Sequence, residues 1–151
     1  MAAISFGKSR YSKTFDWELL RYANIINTTV AGGMGKLFKH FVKTHTPSSI
    51  VTYSDKRWNT GSVYKTVGFT YTHTSAPNYY YFLPYNTNKM YHRSQFQKHK
   101  LEKTLPTFNT KLTEWKNMVN NGYDRIWDCG NDVFEWYYSK VKSVPASNIL
   151  L

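Results

Sequence analysis

Only one cysteine, Cys129, occurs in the 151 residues, so neither an internal disulfide nor a cysteine zinc site is expected. Long apolar runs are missing as well. No stretch approaches the roughly 20 residues needed to cross a bilayer. The opening Met1-Ala-Ala-Ile-Ser-Phe-Gly-Lys8 has no charged region ahead of a long apolar run, so no signal peptide is expected. A cytoplasmic location follows by default. Internal repeats, low-complexity tracts and Gly/Ser- or Pro-rich linkers are absent too, which reads as a single domain over residues 1–151. Acids are scarce: nine in all, and dense only at Asp124, Asp128, Asp132 and Glu135. A metal-dependent nuclease gathers carboxylates and histidine around a divalent ion. Here a hairpin with acidic positions is the simpler reading of that group. The five histidines lack metal spacing and no P-loop occurs, so no metal is expected.

Against that scarcity stand 20 Lys and Arg, giving a formal charge of +11. Such a chain attracts phosphate polymers and releases their counterions, a sequence-independent source of affinity. An anionic membrane surface would call for a polybasic cluster beside an apolar anchor, and the sequence has no such anchor. Nucleic acid is therefore the expected partner, and a membrane is not. An aromatic content of 18% is that of a folded chain.

Periodicity then organises the chain. Trp17 to Ile26 reads as a strand, and Val30-Ala-Gly-Gly-Met-Gly-Lys36 leads into a helix from about Met34 to His45. At about 100° per residue, Met34, Leu37, Phe38, Phe41 and Val42 share one face of that helix. Lys36, Lys39, His40 and Lys43 share the other, with no acid among them. A solvated polar face would account for any one of these residues, but less easily for four together. Ile50 to Asp55 reads as a buried strand, and Thr60 to Gly68 as a short helix closed by glycine. Phe69–Thr74 and Asn78–Leu83 read as further strands. Lys89 to Lys103 carries Lys89, Arg93, Lys98, Lys100 and Lys103 against Glu102 alone, with Tyr91 and Phe96 interleaved. It reads as a basic helical segment, either one in which cations meet phosphates and rings stack on bases or a plain exposed basic helix with Phe96 facing the core. Leu112–Val119 reads as a helix. Tyr123–Cys129 and Asp132–Tyr138 read as a hairpin around Gly130-Asn131. The last residues, from about Pro145, read as frayed. The fold class expected is mixed α/β (α+β), with a central sheet flanked by helices.

Gly32, Gly33 and Gly35 fall between a strand and a helix start. There, free N–H groups and the helix dipole favour a phosphate, while a tight turn with close packing is the ordinary reading of three such glycines. The order of Glu18-Leu-Leu-Arg-Tyr22, Gly33-Met-Gly35, Ile50 to Asp55 and Tyr64-Lys-Thr-Val-Gly-Phe69 resembles the core of GNAT-type acyltransferases, over about residues 16–83. That resemblance implies acyl-CoA on the glycine loop. It also implies Tyr64 as the acid that protonates the thiolate, with Glu18 or Asp55 as candidate bases. Where that family usually carries Arg or Gln, three residues before the first motif glycine, this chain has Val30. A second resemblance spans nearly the whole chain. Phe6-Gly-Lys-Ser-Arg-Tyr11, Asp16-Trp-Glu-Leu-Leu-Arg-Tyr22, Tyr53-Ser-Asp-Lys-Arg-Trp58, His92 to Leu101 and Gly122 to Asn131 are similar to the region after the nuclease domain in phage Vsr-like homing endonucleases. Phage Mom-type DNA-modification proteins are more distantly similar.

Together these readings lead to an expected function: a noncatalytic, GNAT-like, phage-type nucleic-acid-binding protein in the host cytoplasm, with DNA favoured over RNA. It would serve an endonuclease or act on host nucleic-acid machinery, and no cofactor is expected. Phosphate contacts fall to Lys36, Lys39, Lys43, Arg93, Lys98 and Lys100, with Arg57 and Trp58 as loop contacts. For Trp58, core packing is an equal reading. The alternatives are a GNAT-type acyltransferase or Mom-like nucleobase modifier using acyl-CoA, and a protein inhibitor of a host defence complex.

Overall fold

The computed structural model describes residues 1–138. They form a mixed α+β fold, with a five-stranded and a three-stranded sheet and four α-helices among the described residues. The chain gathers into two compact units. The first comprises Met1–Ser54, Asn59–His73 and residues 132–138. The second comprises Asp55–Trp58 and Thr74–Asn131. No linker marks the division in the sequence: the second unit is built from two stretches of chain, with Asn59–His73 of the first unit between them in sequence.

In the first unit the sheet runs β1-β2-β3-β8-β4. These strands are Ala2–Gly7, Trp17–Asn24, Ser49–Asp55, Asn131–Tyr137 and Thr70–Thr74 respectively. β1 is antiparallel to β2, and β2 is parallel to β3. β3 is central and nearly all buried, as a strand covered on both faces must be. Helix α1, Gly33–His45, lays Met34, Phe38 and Phe41 onto Leu19, Ile50 and Phe134. Its i, i+4, i+7 spacing is the cause, since these positions stack on one side of a 3.6-residue helix. Phe6 stacks on Phe41 at 3.5 Å between ring centres, and Trp17 meets the same ring edge-on. Fully burying a ring such as Phe41 stabilises by about 1.5–3 kcal/mol, and the half-buried Phe6 and Trp17 contribute less. Helix α2, Ser62–Thr66, ends as the sequence predicts. Gly68 at φ 93° lets its own N–H reach the Lys65 carbonyl and the Phe69 N–H reach Tyr64. The Phe69 ring then packs on Tyr64, completing a Schellman cap.

In the second unit the antiparallel sheet runs β6-β5-β7, which are Asn86–His92, Tyr79–Leu83 and Asp124–Trp127. Fully buried Tyr81 anchors its core with Phe96, Leu101, Leu105 and Met118. The last three come from or follow helix α3, Lys98–Thr104, and helix α4, Glu114–Asn120. α4 begins at Thr113, whose hydroxyl accepts the Lys116 N–H, with Glu114 in the first turn where the dipole favours it. Buried Asn117 is held by the N–H and carbonyl of Asn109 and the carbonyl of Thr113.

Three expectations change. The basic segment 89–103 is not one helix: its start belongs to β6, Arg93–Phe96 is a 3-10 turn, and only Lys98–Thr104 is helical. Pairing with β5, Tyr91 opposite Tyr81 and Met90 opposite Phe82, overrides the poor strand propensity of this stretch. The two strands around Gly130-Asn131 exist but do not form a hairpin, because β7 pairs with β5 while β8 lies between β3 and β4. Gly130, at φ 74°, packs so closely on the Ser75 carbonyl that a Cβ would not fit. The turn signal therefore marks a change of sheet. The sequence reading names no strand before Trp17, yet Ala2–Gly7 forms β1. The expectation about the residues from Pro145 lies outside the described residues.

Candidate nucleic-acid interface

α1 brings the first set of predicted residues together. Lys36, Lys39, His40 and Lys43 are all exposed, opposite the buried Met34–Phe38–Phe41 face. The same spacing that buries the apolar stripe aligns the lysines over two turns, and the helix carries no acid. Among the described residues the ion pairs are Arg10–Glu18 and Arg57–Asp55, so none of these lysines meets a carboxylate. Several of the other acids are drawn into bonds of their own. Asp16 accepts from the N–H and hydroxyl of Ser48, which hold its carboxyl below the usual carboxylate range. Glu114 accepts from the Tyr79 and Tyr81 hydroxyls, and Asp128 from the Asn78 and Gly130 N–H groups. The positive charge of α1 is therefore not neutralised by an ion pair among the described residues.

Beside this row runs a groove of about 620 Å³. Phe38 and Val42 of α1, Val67 after α2, and Trp136 and Tyr138 on and after β8 form its apolar wall. Lys39 and Lys43 stand at its α1 side. Trp136 meets Phe38 edge-on at 5.4 Å and Tyr138 at 6.1 Å. The sequence expectations do not include this groove: its walls come from three separate stretches of chain, and Trp136 and Tyr138 read there simply as strand residues.

The three predicted phosphate-binding glycines do three different things. Gly32 takes φ 66° and starts the helix. Gly33 is a packing glycine: a Cβ there would lie 2.9 Å from the Tyr22 hydroxyl and 3.0 Å from Val30 Cγ1. Its N–H is spent on the Val30 carbonyl. Gly35 has open space beside it and lines the groove.

The predicted catalytic residues are occupied or apart. Glu18 is 1% exposed. Arg10 Nη2 donates to its Oε1 at 2.6 Å, Arg10 Nε donates to the same oxygen, and the Arg10 N–H donates to Oε2. Asp55 is clasped by Arg57, whose Nε and Nη2 both donate to it, and this bond holds the Asp55 carboxyl below its ordinary range. Tyr64 is half-buried, with its ring against Phe69 and Phe134. The parallel pairing of β2 with β3 stops at Leu19–Thr52, where the Thr52 hydroxyl donates to the Leu19 carbonyl.

In the second unit, Arg57 is spent on Asp55, while Trp58 is 79% exposed, against the core-packing reading. Lys98 is exposed, Lys100 donates to the Ser94 carbonyl, and Arg93 lies over the Tyr79 ring at 5.4 Å. Sequence reasoning missed Arg125. It lies 4.2 Å from the Trp115 ring centre and 5.1 Å from that of Trp127, and it shares Tyr79 with Arg93. The alternation of β7 with Tyr79 and Tyr81 on β5 was the available signal. Among the described residues no group of His, Cys, Asp and Glu could hold a metal ion, and no helix is long and apolar enough to cross a membrane. A scan against protein-family models finds no matching family, and a search of curated proteins finds no matching relative.

Proposed function

We propose that this chain is a noncatalytic nucleic-acid-binding protein that grips phosphates through Lys36, Lys39 and Lys43 of α1. DNA is the favoured partner, and the setting is phage-type: accessory to an endonuclease or acting on host nucleic-acid machinery in the cytoplasm. The observation that carries this reading is the lysine row itself. Three exposed ammonium groups share one helix face, and none pairs with a carboxylate among the described residues. Each phosphate contact of this kind releases a condensed counterion. The GNAT-like order from β2 to β4, with its parallel β2–β3 pair, supports a scaffold of that type. Acyl-CoA chemistry draws less support. Tyr22 and Val30 crowd Gly33, Arg10 occupies Glu18, and Arg57 occupies Asp55. Lysine acetylation footprinting with and without duplex DNA tests the reading. Lys36, Lys39 and Lys43 should be protected, while exposed Lys13 and Lys111 stay reactive. Equal labelling of all five would remove α1 from the interface.

A further inference from the structure

We propose that the groove beside the lysine row seats an unpaired nucleobase of a single strand, with the phosphates of that strand lying on Lys39 and Lys43. This deepens the nucleic-acid reading of α1 and rests on it. The groove, at about 620 Å³, lies within the range of ordinary ligand sites and holds far more than one base. Its wall is suited to a flat apolar ring. Tyr138 is 50% exposed, and behind it stand the Trp136 indole and Phe38, which is 4% exposed. Base–aromatic stacking asks only for such a surface and tolerates any sequence. Its polar members are of one kind. Lys39 and Lys43 lie one turn apart on α1, Thr46 and Thr66 add hydroxyls, and no carboxylate lines it among the described residues. An apolar slot with cations along one side and no anion matches a base attached to a phosphate backbone. A neutral lipid or a cationic peptide would leave the two ammonium groups without a partner.

A paired base keeps its faces inside the stack, so a duplex can use the lysines but not the slot. The groove thus gives the protein a preference for unpaired strands over duplex. Gly35 offers a clean way to close it. The residue lines the groove, its helical backbone suits any side chain, and a Cβ there meets nothing within 4 Å. Gly35→Leu puts an isobutyl group into the slot and leaves both lysines in place. Tyr138→Ala removes one wall while keeping its backbone bond to Ser48.

The experiment is fluorescence anisotropy with a labelled 15-nucleotide single strand and the duplex of the same sequence, at one fixed salt concentration. Wild type, Gly35→Leu, Tyr138→Ala and the Lys36/Lys39/Lys43→Ala triple variant are compared, with Gly35→Ala as a folding control and circular dichroism on each. Gly35→Leu and Tyr138→Ala are expected to weaken single-strand binding about tenfold or more, the size of one lost stack, and duplex binding less than about twofold. The triple variant should weaken both. Unchanged single-strand affinity in both groove variants, or an equal loss for both nucleic acids, overturns the groove proposal and leaves the lysine reading standing. Failure of wild type to bind either nucleic acid overturns both. A calorimetric arm with acetyl-CoA separates the other source of a base joined to phosphate. Tight acetyl-CoA binding lost in Gly35→Leu would overturn the strand proposal in favour of a free nucleotide carrier.

Discussion

Arg10→Ala asks whether Glu18 is a structural anchor or an available base. The variant removes both guanidinium bonds to Oε1 and leaves Oε2 with only the residue-10 N–H. Stripping one partner from a fully buried pair costs about 3–5 kcal/mol, because a charge stays behind in a poor solvent. Here the Glu18 side chain is 1% exposed but that of Arg10 is 59% exposed, so water replaces part of the lost donor. The expected loss is therefore about 2–3 kcal/mol. For a chain of this length that lowers Tm by roughly 5–10 °C. Urea unfolding followed by tryptophan fluorescence measures it, and adding Glu18→Gln to Arg10→Ala should recover part of the loss by removing the stranded charge. Duplex affinity, compared below the transition, should stay within about twofold, since Arg10 is already neutralised. A loss under about 0.5 kcal/mol would contradict an anchoring role for the Arg10–Glu18 pair. It would mean that the carboxylate reaches water unaided and could serve as a base.

Two neighbouring glycines should respond with opposite signs. Gly33→Ala forces a Cβ against Tyr22 and Val30 and should cost about 1–3 kcal/mol, whereas Gly35→Ala meets open space and should gain up to about 1 kcal/mol; thermal melts of the two variants check both. Tyr81→Phe should cost about 1.5–3 kcal/mol, because a fully buried hydroxyl loses its bond to the Glu114 carboxylate. Burial, and then Glu114, push the Tyr81 phenol up. Its stabilising effect is thus complete below the unfolded-state value of about 10 and is lost as pH rises beyond it. Urea midpoints at about pH 8 and about pH 11 should fall less in Tyr81→Phe than in wild type.

What could be read in the sequence was what repeats locally. α1 is legible because Met34, Phe38 and Phe41 recur at helical spacing, and the same arithmetic places Lys36, Lys39 and Lys43 outward. The cap of α2 was legible for the same reason: Gly68 stands where a left-handed residue is needed. Pairings between distant segments were not legible. Asn86–His92 is a strand because β5 supplies partners, not because Asn and Lys favour extended backbone. Gly130-Asn131 carries a turn signal that says nothing about which sheet the chain joins next. The candidate site divides along the same line. Its cations share one helix, whereas its aromatic wall needs α1, the end of α2 and β8 in one place. Arg10 and Arg57 look like free cations in the sequence, and only tertiary structure shows Arg10 spent on Glu18 eight positions on.

The most direct measurement for phosphate recognition by α1 is the salt dependence of duplex DNA binding, in wild type and in the Lys36/Lys39/Lys43→Ala variant. Log affinity should fall linearly with log salt, at about −0.9 per neutralised phosphate. The variant should remain folded, because all three side chains are exposed, and its slope should be shallower by about 2 to 3. An identical slope in the two proteins, or a wild-type affinity indifferent to salt, would contradict phosphate recognition by this helix.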